Sequence, residues 1–247
     1  MVNEFSRTEM LIGREGILKL RSSAVVIFGV GGVGSHAVEA LARCGVGRLV
    51  LVDNDTVSLT NINRQSIALH STIGQYKTLV MKQKLCDINP DIRVLTYEQF
   101  VLPDNLDALF ENIKSQMESS DSVTYILDAI DTVTAKLALA SYAAKHHIPI
   151  LSSMGTGNKL HGDLFRISDL SQTSVCPLCK VMRKELKARN IPKLKVCWSP
   201  EKPLAPAPTE EDTGGRRATP GSVSFVPPVA GLLIAGEIVR DILAPIL

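Results

Sequence analysis

The sequence has 247 residues, of which 45% are apolar, 21% charged and 4% aromatic, and its formal net charge at pH 7 is +2. This composition is that of an ordinary globular protein, so a disordered chain and a fibrous repeat are excluded. The length allows one large domain, or one domain with a smaller appendage, and either can bury a full-sized core.

The first 155 residues alternate between segments typical of strands and segments typical of helices. A short apolar run rich in β-branched residues at 24–28 is followed by a glycine-rich turn and a helical pattern at 35–44. The further predicted strands are 48–52, 93–97, 123–128 and 148–152, and the further predicted helices are 77–89, 104–114 and 132–146. This alternation predicts an α/β fold with a Rossmann-like, doubly wound and mostly parallel sheet.

The pattern changes after residue 155. We predict strands at 163–167 and 194–198, a basic helix between them, and a last apolar helix at 229–243. The segment 199–221 is rich in proline, glycine and charge, which is typical of a mobile loop. The predicted organisation is a Rossmann-like domain, 1–155, and a C-terminal α+β extension, 156–247, packed on the same sheet.

The sequence also bears on where the protein works. Its first residues carry charges and lack the apolar stretch of a signal peptide. The longest apolar run, 226–236, is shorter than the ~20 residues that a membrane helix needs. We therefore expect a cytoplasmic protein with no membrane contact, in which the cysteines stay reduced.

The turn after the first predicted strand has the spacing of a nucleotide fingerprint, formed by Gly29, Gly31, Gly32 and Gly34. Glycines let the backbone approach a phosphate at the start of a helix. Asp53 follows 19 residues after Gly34, at the end of the second predicted strand, where a carboxylate can accept hydrogen bonds from a ribose. The motif indicates an adenine nucleotide without saying which one.

The polar residues that follow distinguish a hydride cofactor from a triphosphate. They are Asp55, Asn61, Asn63, Arg64, Lys77, Asp128 and Asp131. Binding of a nicotinamide ring does not require an added arginine, lysine and carboxylate. A magnesium triphosphate does, because Arg64 and Lys77 can neutralise phosphate oxygens and Asp131 can hold Mg²⁺. Each has a simpler interpretation, as a surface cation or a helix cap, and the absence of a P-loop motif from the sequence excludes a P-loop ATPase.

Together these motifs resemble the ubiquitin-activating-enzyme-like adenylyltransferases of the ThiF/MoeB type, over residues 5 to about 155. The resemblance implies activation of a carboxylate by attack on the α-phosphate of Mg-ATP, with release of pyrophosphate. It implies that Asp53 binds ribose and that Asp131 holds the metal. It assigns the phosphates to Asn61, Arg64 and Lys77. It also assigns nucleotide binding to the four glycines, Asp55, Asn61, Asn63 and Asp128.

The N-terminal residues Phe5-Ser6-Arg7 resemble the arginine that members of this superfamily lend to the ATP of a neighbouring subunit. The resemblance therefore implies a homodimer in which Arg7 acts in trans as a catalytic residue. The alternative is that Arg7 belongs to a frayed terminus.

The second half resembles the bacterial tRNA threonylcarbamoyladenosine dehydratases, in residues 153–159, 181–186, 216–217 and 221–227. This family resemblance implies an ATP-dependent cyclisation, with net loss of water, of the threonylcarbamoyl group on the tRNA adenosine beside the anticodon. It departs from the family at His161-Gly162, where Asp-Pro is expected. Two alternatives stay open: activation of the C-terminal Gly-Gly of a sulfur-carrier protein, and nucleotide binding without turnover. A cysteine desulfurase or sulfur-acceptor system is a further candidate partner.

The cysteines do not indicate a zinc site. Sulfur-carrier-activating members of the superfamily carry two Cys-x-x-Cys pairs, but this sequence has one, Cys176 and Cys179, while Cys197 stands alone. A tetrahedral site needs four ligands, so we expect two helical thiols without a structural zinc. Cys197 has no identifiable base beside it, which argues against a nucleophilic role.

A basic segment lies between residues 180 and 195. Seven basic residues and one acidic residue give it a net charge of +6, which leaves −4 for the rest of the chain. The basic residues are Lys180, Arg183, Lys184, Lys187, Arg189, Lys193 and Lys195. A solvated helix face and a polyanion-binding surface both fit this pattern. With the family resemblance, the first five of these residues are predicted to neutralise tRNA phosphates.

Overall fold

The computed structural model describes residues 2–117, 122–207 and 220–246. Their seven strands form one sheet in the order β3-β2-β1-β4-β5-β7-β6. The strands are β1 Ala24–Phe28, β2 Arg48–Val52, β3 Arg93–Tyr97, β4 Tyr125–Asp128, β5 Ile150–Ser153, β6 Arg166–Asp169 and β7 Lys195–Trp198. All neighbours pair in parallel except β6, which is antiparallel to β7. The predicted α/β fold with a mostly parallel sheet is confirmed.

Helices cover both faces of the sheet. The α-helices of the described residues are α1 Ser6–Arg21, α2 Gly34–Arg43, α3 Lys77–Ile88, α4 Leu106–Ser115, α5 Val133–His146, α6 Pro177–Ala188 and α7 Val226–Leu243. One core joins the sheet to α1, α2, α3 and α7, and a second joins it to α4 and α5. Helix α6 packs on α5 over a third cluster.

Strand β1 shows why its sequence is continuously apolar. Successive side chains of a strand point to opposite faces of the sheet. Val25 and Ile27 accordingly lie in the first core, and Val26 and Phe28 in the second, so every position is buried. This central strand positions the glycine-rich turn that follows it.

Three elements differ most from the sequence-based expectation, while β4, β5 and α4 each begin two residues later than predicted. Helix α1 was not predicted, because only Gly16 and Leu20 are buried in it and its apolar pattern is weak. Strand β6 begins at Arg166, since a 3₁₀ turn occupies Gly162–Leu164. Helix α7 begins at Val226 rather than 229, because prolines are compatible with the first turn of a helix, where backbone N–H groups have no intrahelical partner.

The second half of the chain extends the sheet of the first half. Strands β7 and β6 continue it beyond β5, and α7 packs along α2. The predicted division at residue 155 stays a prediction. Arg216, Arg217 and most of the predicted mobile loop lie outside the described residues. None of the helices in the described parts of the chain has the length and apolar character to cross a membrane.

Candidate functional site

The turn between β1 and α2 leaves room only for glycine at two positions. Gly29 has φ +92°, and a Cβ there would lie 2.7 Å from the backbone oxygen of Ala129. A Cβ on Gly34 would lie 1.8 Å from the backbone oxygen of Gly29. The backbone of the turn is therefore tightly packed at the carboxyl edge of the sheet and leaves space at the N-terminus of α2. The N–H groups and the helix dipole at this terminus favour an anion.

Arg64 lies over this turn. A Cβ on Gly32 would lie 3.4 Å from Cγ of Arg64 and 3.1 Å from Cβ of Pro227, so the side chain packs directly beside the glycines. The guanidinium Nη1 donates to the backbone oxygen of Thr60 and to Oδ1 of Asn63, each at 2.9 Å. These bonds hold a half-buried cation next to the helix N-terminus.

Asp53 joins the ends of β1 and β2. One carboxylate oxygen accepts the N–H of Val30 at 2.6 Å, and the other accepts the N–H of Asp55 at 2.9 Å. A carboxylate oxygen has more than one acceptor site, so Asp53 can accept further hydrogen bonds from a ligand.

Lys77 is the first residue of α3 and is only 5% exposed. Its Nζ contacts Oδ2 of Asp55 at 2.7 Å, whereas the side chain of Asp55 is exposed. A buried ammonium group needs a charged or polar partner. Asp55 is therefore the partner that orients Lys77 at the carboxyl edge of the sheet.

Asn61 and Asn63 shape the segment that carries Arg64. Asn61 is buried, and its Oδ1 accepts the N–H of Ser58 at 3.2 Å. Nδ2 of Asn63 donates to the backbone oxygen of Ser222 at 2.9 Å. This second bond ties the segment to the residues that precede α7.

Asp128 is placed differently from the other predicted nucleotide-binding residues, because it is fully buried. Its Oδ2 accepts from Nζ of Lys136 at 2.9 Å and from Oγ of Ser152 at 2.5 Å, and its Oδ1 accepts from the N–H of Ile130 at 3.2 Å. Lys136 is itself 0% exposed. Sequence analysis missed Lys136 and Ser152, although a lysine within the otherwise apolar face of α5 was a visible signal.

This buried network shapes the turn that presents Asp131. Ala129, one residue after Asp128, is the residue that a Cβ on Gly29 would meet. Asp131 follows with an exposed side chain, within 3.4 Å of the hydroxyl of Thr132. Asp131 thus follows β4 at the edge of the sheet that carries the glycine-rich turn, where Arg64 packs beside Gly32 and where Asp55, the partner of Lys77, follows β2.

Arg7 lies away from this edge in its own chain. It is exposed on the first turn of α1, and the ring of neighbouring Phe5 lies beside Gly45, just past the C-terminus of α2. The ten residues of α2 span about 15 Å and separate this region from the glycine-rich turn. Arg7 therefore lies near the opposite end of α2 from the glycine-rich turn of its own chain.

The basic segment is less uniform than its sequence. Lys180, Lys184 and Lys187 are exposed on α6, but Arg189 pairs with Glu185 at 2.7 Å. Arg183 donates to the backbone oxygen of Thr173 at 2.9 Å.

Lys195 faces α7, where its Nζ contacts Glu237 at 2.9 Å and Asp241 at 2.7 Å. Although burial opposes the charge, these hydrogen bonds raise the pKa of Lys195. Lys195 is therefore a structural cation.

The thiol of Cys197 is unsuited to nucleophilic attack. It is buried in β7, and burial raises its pKa to about 12. Within residues 2–117, 122–207 and 220–246, no group of three or more His, Cys, Asp or Glu side chains is arranged to hold a metal ion.

Comparison with known proteins gives a consistent picture. The profile of the ThiF family matches residues 5–245. The tRNA threonylcarbamoyladenosine dehydratase of Bacillus subtilis is 40% identical over 255 residues, covering 100% of this chain and 97% of that protein. The Escherichia coli protein of the same name is 36% identical over 184 residues, or 74% of this chain and 65% of that protein. The crystal structure of Escherichia coli TcdA, the dehydratase in complex with ATP, superposes with a TM-score of 0.84 at 29% identity, covering 98% of this chain and 94% of that one.

Proposed function

Because the chain belongs to the ThiF family, we propose that it is an ATP-dependent tRNA threonylcarbamoyladenosine dehydratase. The observation that carries the proposal is the placement of Arg64 and Lys77 around a turn that admits no side chain at Gly29 or Gly34. The match of the whole chain to 97% of a relative and the likeness to an ATP-bound structure support the same conclusion. The cytoplasm is the expected location for a tRNA-modifying enzyme of this kind.

The residues of the site fit Mg-ATP. The glycine-rich turn and the start of α2 offer backbone N–H groups to phosphate, and Asp53 is placed to accept hydrogen bonds from the ribose. Arg64 and Lys77 supply positive charge to the phosphates. Asp131 would hold Mg²⁺, since a magnesium ion uses one or two carboxylates together with substrate phosphates. When bound, the ion neutralises charge on the phosphate oxygens.

The reaction has two steps. The carboxylate of the threonylcarbamoyl group attacks the α-phosphorus of ATP, and pyrophosphate leaves. An atom of the same modification then attacks the activated carbonyl, AMP leaves, and the ring closes with net loss of one water. Because the substrate carries its own nucleophile, ring closure is effectively unimolecular and needs no protein thiol. The burial of Cys197 agrees with this.

The protein's contribution to the first step is electrostatic. Negative charge builds on the α-phosphate and the departing pyrophosphate, and Arg64 and Lys77 are already held in place by Asn63 and Asp55. Preorganised charges of this kind stabilise a transition state without reorganising as it forms. Asp128 supports the site indirectly, by fixing the turn that leads to Asp131.

The tRNA surface and the dimer are parts of the same proposal. We assign contacts with tRNA phosphates to the exposed lysines of α6, and we assign to Arg7 a contact with the nucleotide of a second copy. Arg183 and Arg189 are partly engaged by Thr173 and Glu185, so we assign them smaller shares of tRNA binding. Association with a cysteine desulfurase or sulfur-acceptor system stays a prediction.

Incubation of the protein with ATP, Mg²⁺ and tRNA that carries threonylcarbamoyladenosine tests the proposal. Nucleoside mass analysis should show loss of one water from the modified adenosine, together with AMP and pyrophosphate. Lys77→Ala should abolish both products, whereas Lys82→Ala, on the exposed face of the same helix, should leave them unchanged. AMP formation only in the presence of a protein ending in Gly-Gly would instead establish a sulfur-carrier activator.

A further inference from the structure

The two cysteines of the Cys-x-x-Cys pair meet at the first turn of α6. Cys176 is the N-cap residue of that helix and Cys179 is its third residue, and both are buried. Side chains at these two positions face each other, as they do in a capping box. The Cys179 thiol is hydrogen-bonded to the sulfur of Cys176. The two sulfurs are therefore neighbours within one turn of the helix.

Backbone N–H groups surround the sulfur of Cys176. Those of Leu178 and Cys179 come from the start of α6, and that of Gly155 comes from the segment that follows β5. The hydrogen bond from Cys179 and these backbone groups outweigh burial and lower the pKa of Cys176. The same contact raises the pKa of Cys179. Of the two sulfurs, Cys176 therefore loses its proton more readily than Cys179.

The other cysteines with a shifted pKa behave in the opposite way. Burial alone raises the pKa of Cys44 and that of Cys197. Cys179 has further polar neighbours, because the side chain of Thr173 and the positive charge of Arg183 lie nearby. These contacts favour a thiolate at Cys179 at the moment it attacks. The Cys-x-x-Cys pair therefore differs in chemistry from Cys44 and Cys197, which lie against or within the first core.

The backbone before Cys176 is unusual as well. Val175 has φ +62°, a left-handed conformation that β-branched residues rarely adopt. Conformations of this kind persist where the surrounding structure holds them and are concentrated at functional sites. Val175 is itself exposed, and Cys176 is 4% exposed, so access to the sulfur is limited to small reagents.

We propose that Cys176 and Cys179 form a redox-active dithiol, which a hydroperoxide converts to a disulfide and a small thiol reductant restores. The thiolate of Cys176 attacks one oxygen of hydrogen peroxide, the O–O bond breaks, and a sulfenic acid and hydroxide form. The sulfur of Cys179 then attacks the sulfenic sulfur, and its proton leaves with the hydroxyl as water. The two sulfurs lose two electrons in total, and the peroxide gains them.

Oxidation removes the negative charge that the N–H of Gly155 now faces. The segment after Gly155 carries Asn158, whose N–H donates to the backbone oxygen of Gly221 at 2.8 Å and whose Oδ1 accepts the N–H of Gly221 at 2.7 Å. The next residue, Ser222, accepts from Asn63 at 2.9 Å. A continuous series of contacts thus joins the dithiol to the residue that orients Arg64, and oxidation is expected to weaken ATP binding.

The experiment uses the full chain with Cys86→Ser, which removes the exposed cysteine of α3. Reduced protein is treated with hydrogen peroxide, alkylated and digested. We expect the peptide containing both cysteines to lose two hydrogens and to regain them with dithiothreitol. Cys179→Ser should stop at a sulfenic acid that dimedone traps, whereas Cys176→Ser should form neither product. A peptide that keeps both thiols at excess peroxide would overturn the proposal.

Two further measurements avoid dependence on variants that fail to fold. In the native protein, alkylation of Cys176 by iodoacetamide should follow a titration with a midpoint below that of an ordinary thiol. A midpoint above pH 8 would overturn the proposal. Calorimetry should show ATP binding about tenfold weaker in the oxidised form. The calorimetric measurement also depends on the proposed function. An ATP affinity that oxidation does not change would show that the dithiol is not coupled to the nucleotide site. No ATP binding by the reduced form would count against the nucleotide site itself.

Discussion

The carboxyl edge of the sheet and the outer face of α6 are both rich in charge, but they hold it differently. At the sheet edge Lys77 and Arg64 are fixed by Asp55 and Asn63, and Asp128 is fully enclosed. On α6 the lysines point into solvent. Fixed charges suit a chemical step, because they do not reorganise during reaction. Exposed charges suit long-range attraction of a polyanion, which tolerates variation in geometry.

Removing one partner from the enclosed pair should have the largest effect. Lys136→Met leaves the Asp128 carboxylate buried without its counter-charge, which should reduce the free energy of unfolding by about 3–5 kcal/mol. Urea denaturation measures this, with Lys145→Met, exposed on the same helix, as the control. Adding Asp128→Asn to Lys136→Met should recover part of the loss. Equal free energies of unfolding for Lys136→Met and Lys145→Met would show that the buried pair at the sheet edge matters no more to stability than a surface lysine.

The glycine-rich turn is the second rigid part of the sheet edge. Gly34→Ala places a Cβ against the backbone of Gly29, so the turn must shift, and we expect a loss of about 3 kcal/mol together with loss of ATP binding. Gly74→Ala is the matched control. It has φ +84° and no atom within 4 Å of an added Cβ, so backbone conformation alone should cost about 1 kcal/mol. Thermal unfolding should rank the two variants in this order, and the reverse order would contradict the steric argument.

The exposed lysines should affect tRNA alone. The triple variant Lys180→Glu, Lys184→Glu and Lys187→Glu should weaken tRNA binding at least tenfold. It should also reduce the slope of log affinity against log salt by roughly 2–3. ATP affinity should not change, because these side chains lie outside the sheet edge. A control triple variant at Lys82, Lys114 and Lys145, which are exposed elsewhere, should bind tRNA normally. Equal losses in both variants would mean that net charge, rather than the α6 face, attracts tRNA.

A smaller effect on stability is expected at the ion pair between Lys195 and Glu237. Hydrogen bonding to Lys195 outweighs partial burial and, with Arg240, lowers the pKa of Glu237 below its usual 4.5. A carboxyl with a lowered folded-state pKa stabilises the protein above its unfolded pKa and loses that contribution as the pH falls through the folded pKa. Glu237→Gln should therefore cost less than about 1 kcal/mol at pH 7, and the difference from the original protein should vanish in acid. A difference that is constant from pH 7 into acid would exclude the ion pair as its cause.

The sequence predicted those features that depend on local patterns. The bounds of β1, β2 and β3 agree with the predicted 24–28, 48–52 and 93–97, because buried parallel strands are continuous apolar runs. The glycine-rich turn was found for a similar reason, since its steric requirement lies within a few residues of the chain.

The features that the sequence does not predict depend on partners that are far apart along the chain. Lys195 was counted as a surface charge, but its partners Glu237 and Asp241 lie more than 40 residues away. Likewise, nothing near Asp128 in the sequence identifies Ser152 as its hydrogen-bond donor, because adjacent parallel strands bring them together. The contact of Cys176 with Gly155 likewise joins residues that are distant in the sequence.

The central claim is that Arg64, Lys77 and Asp131 act on one nucleotide, and Asp131→Ala tests it most directly. Asp131 is exposed and makes only a weak contact with Thr132, so the variant should fold with unchanged thermal stability. We predict that it forms no AMP from ATP and modified tRNA, whereas Asp104→Ala, another exposed carboxylate, forms AMP at the original rate. Normal AMP formation by folded Asp131→Ala would contradict the account.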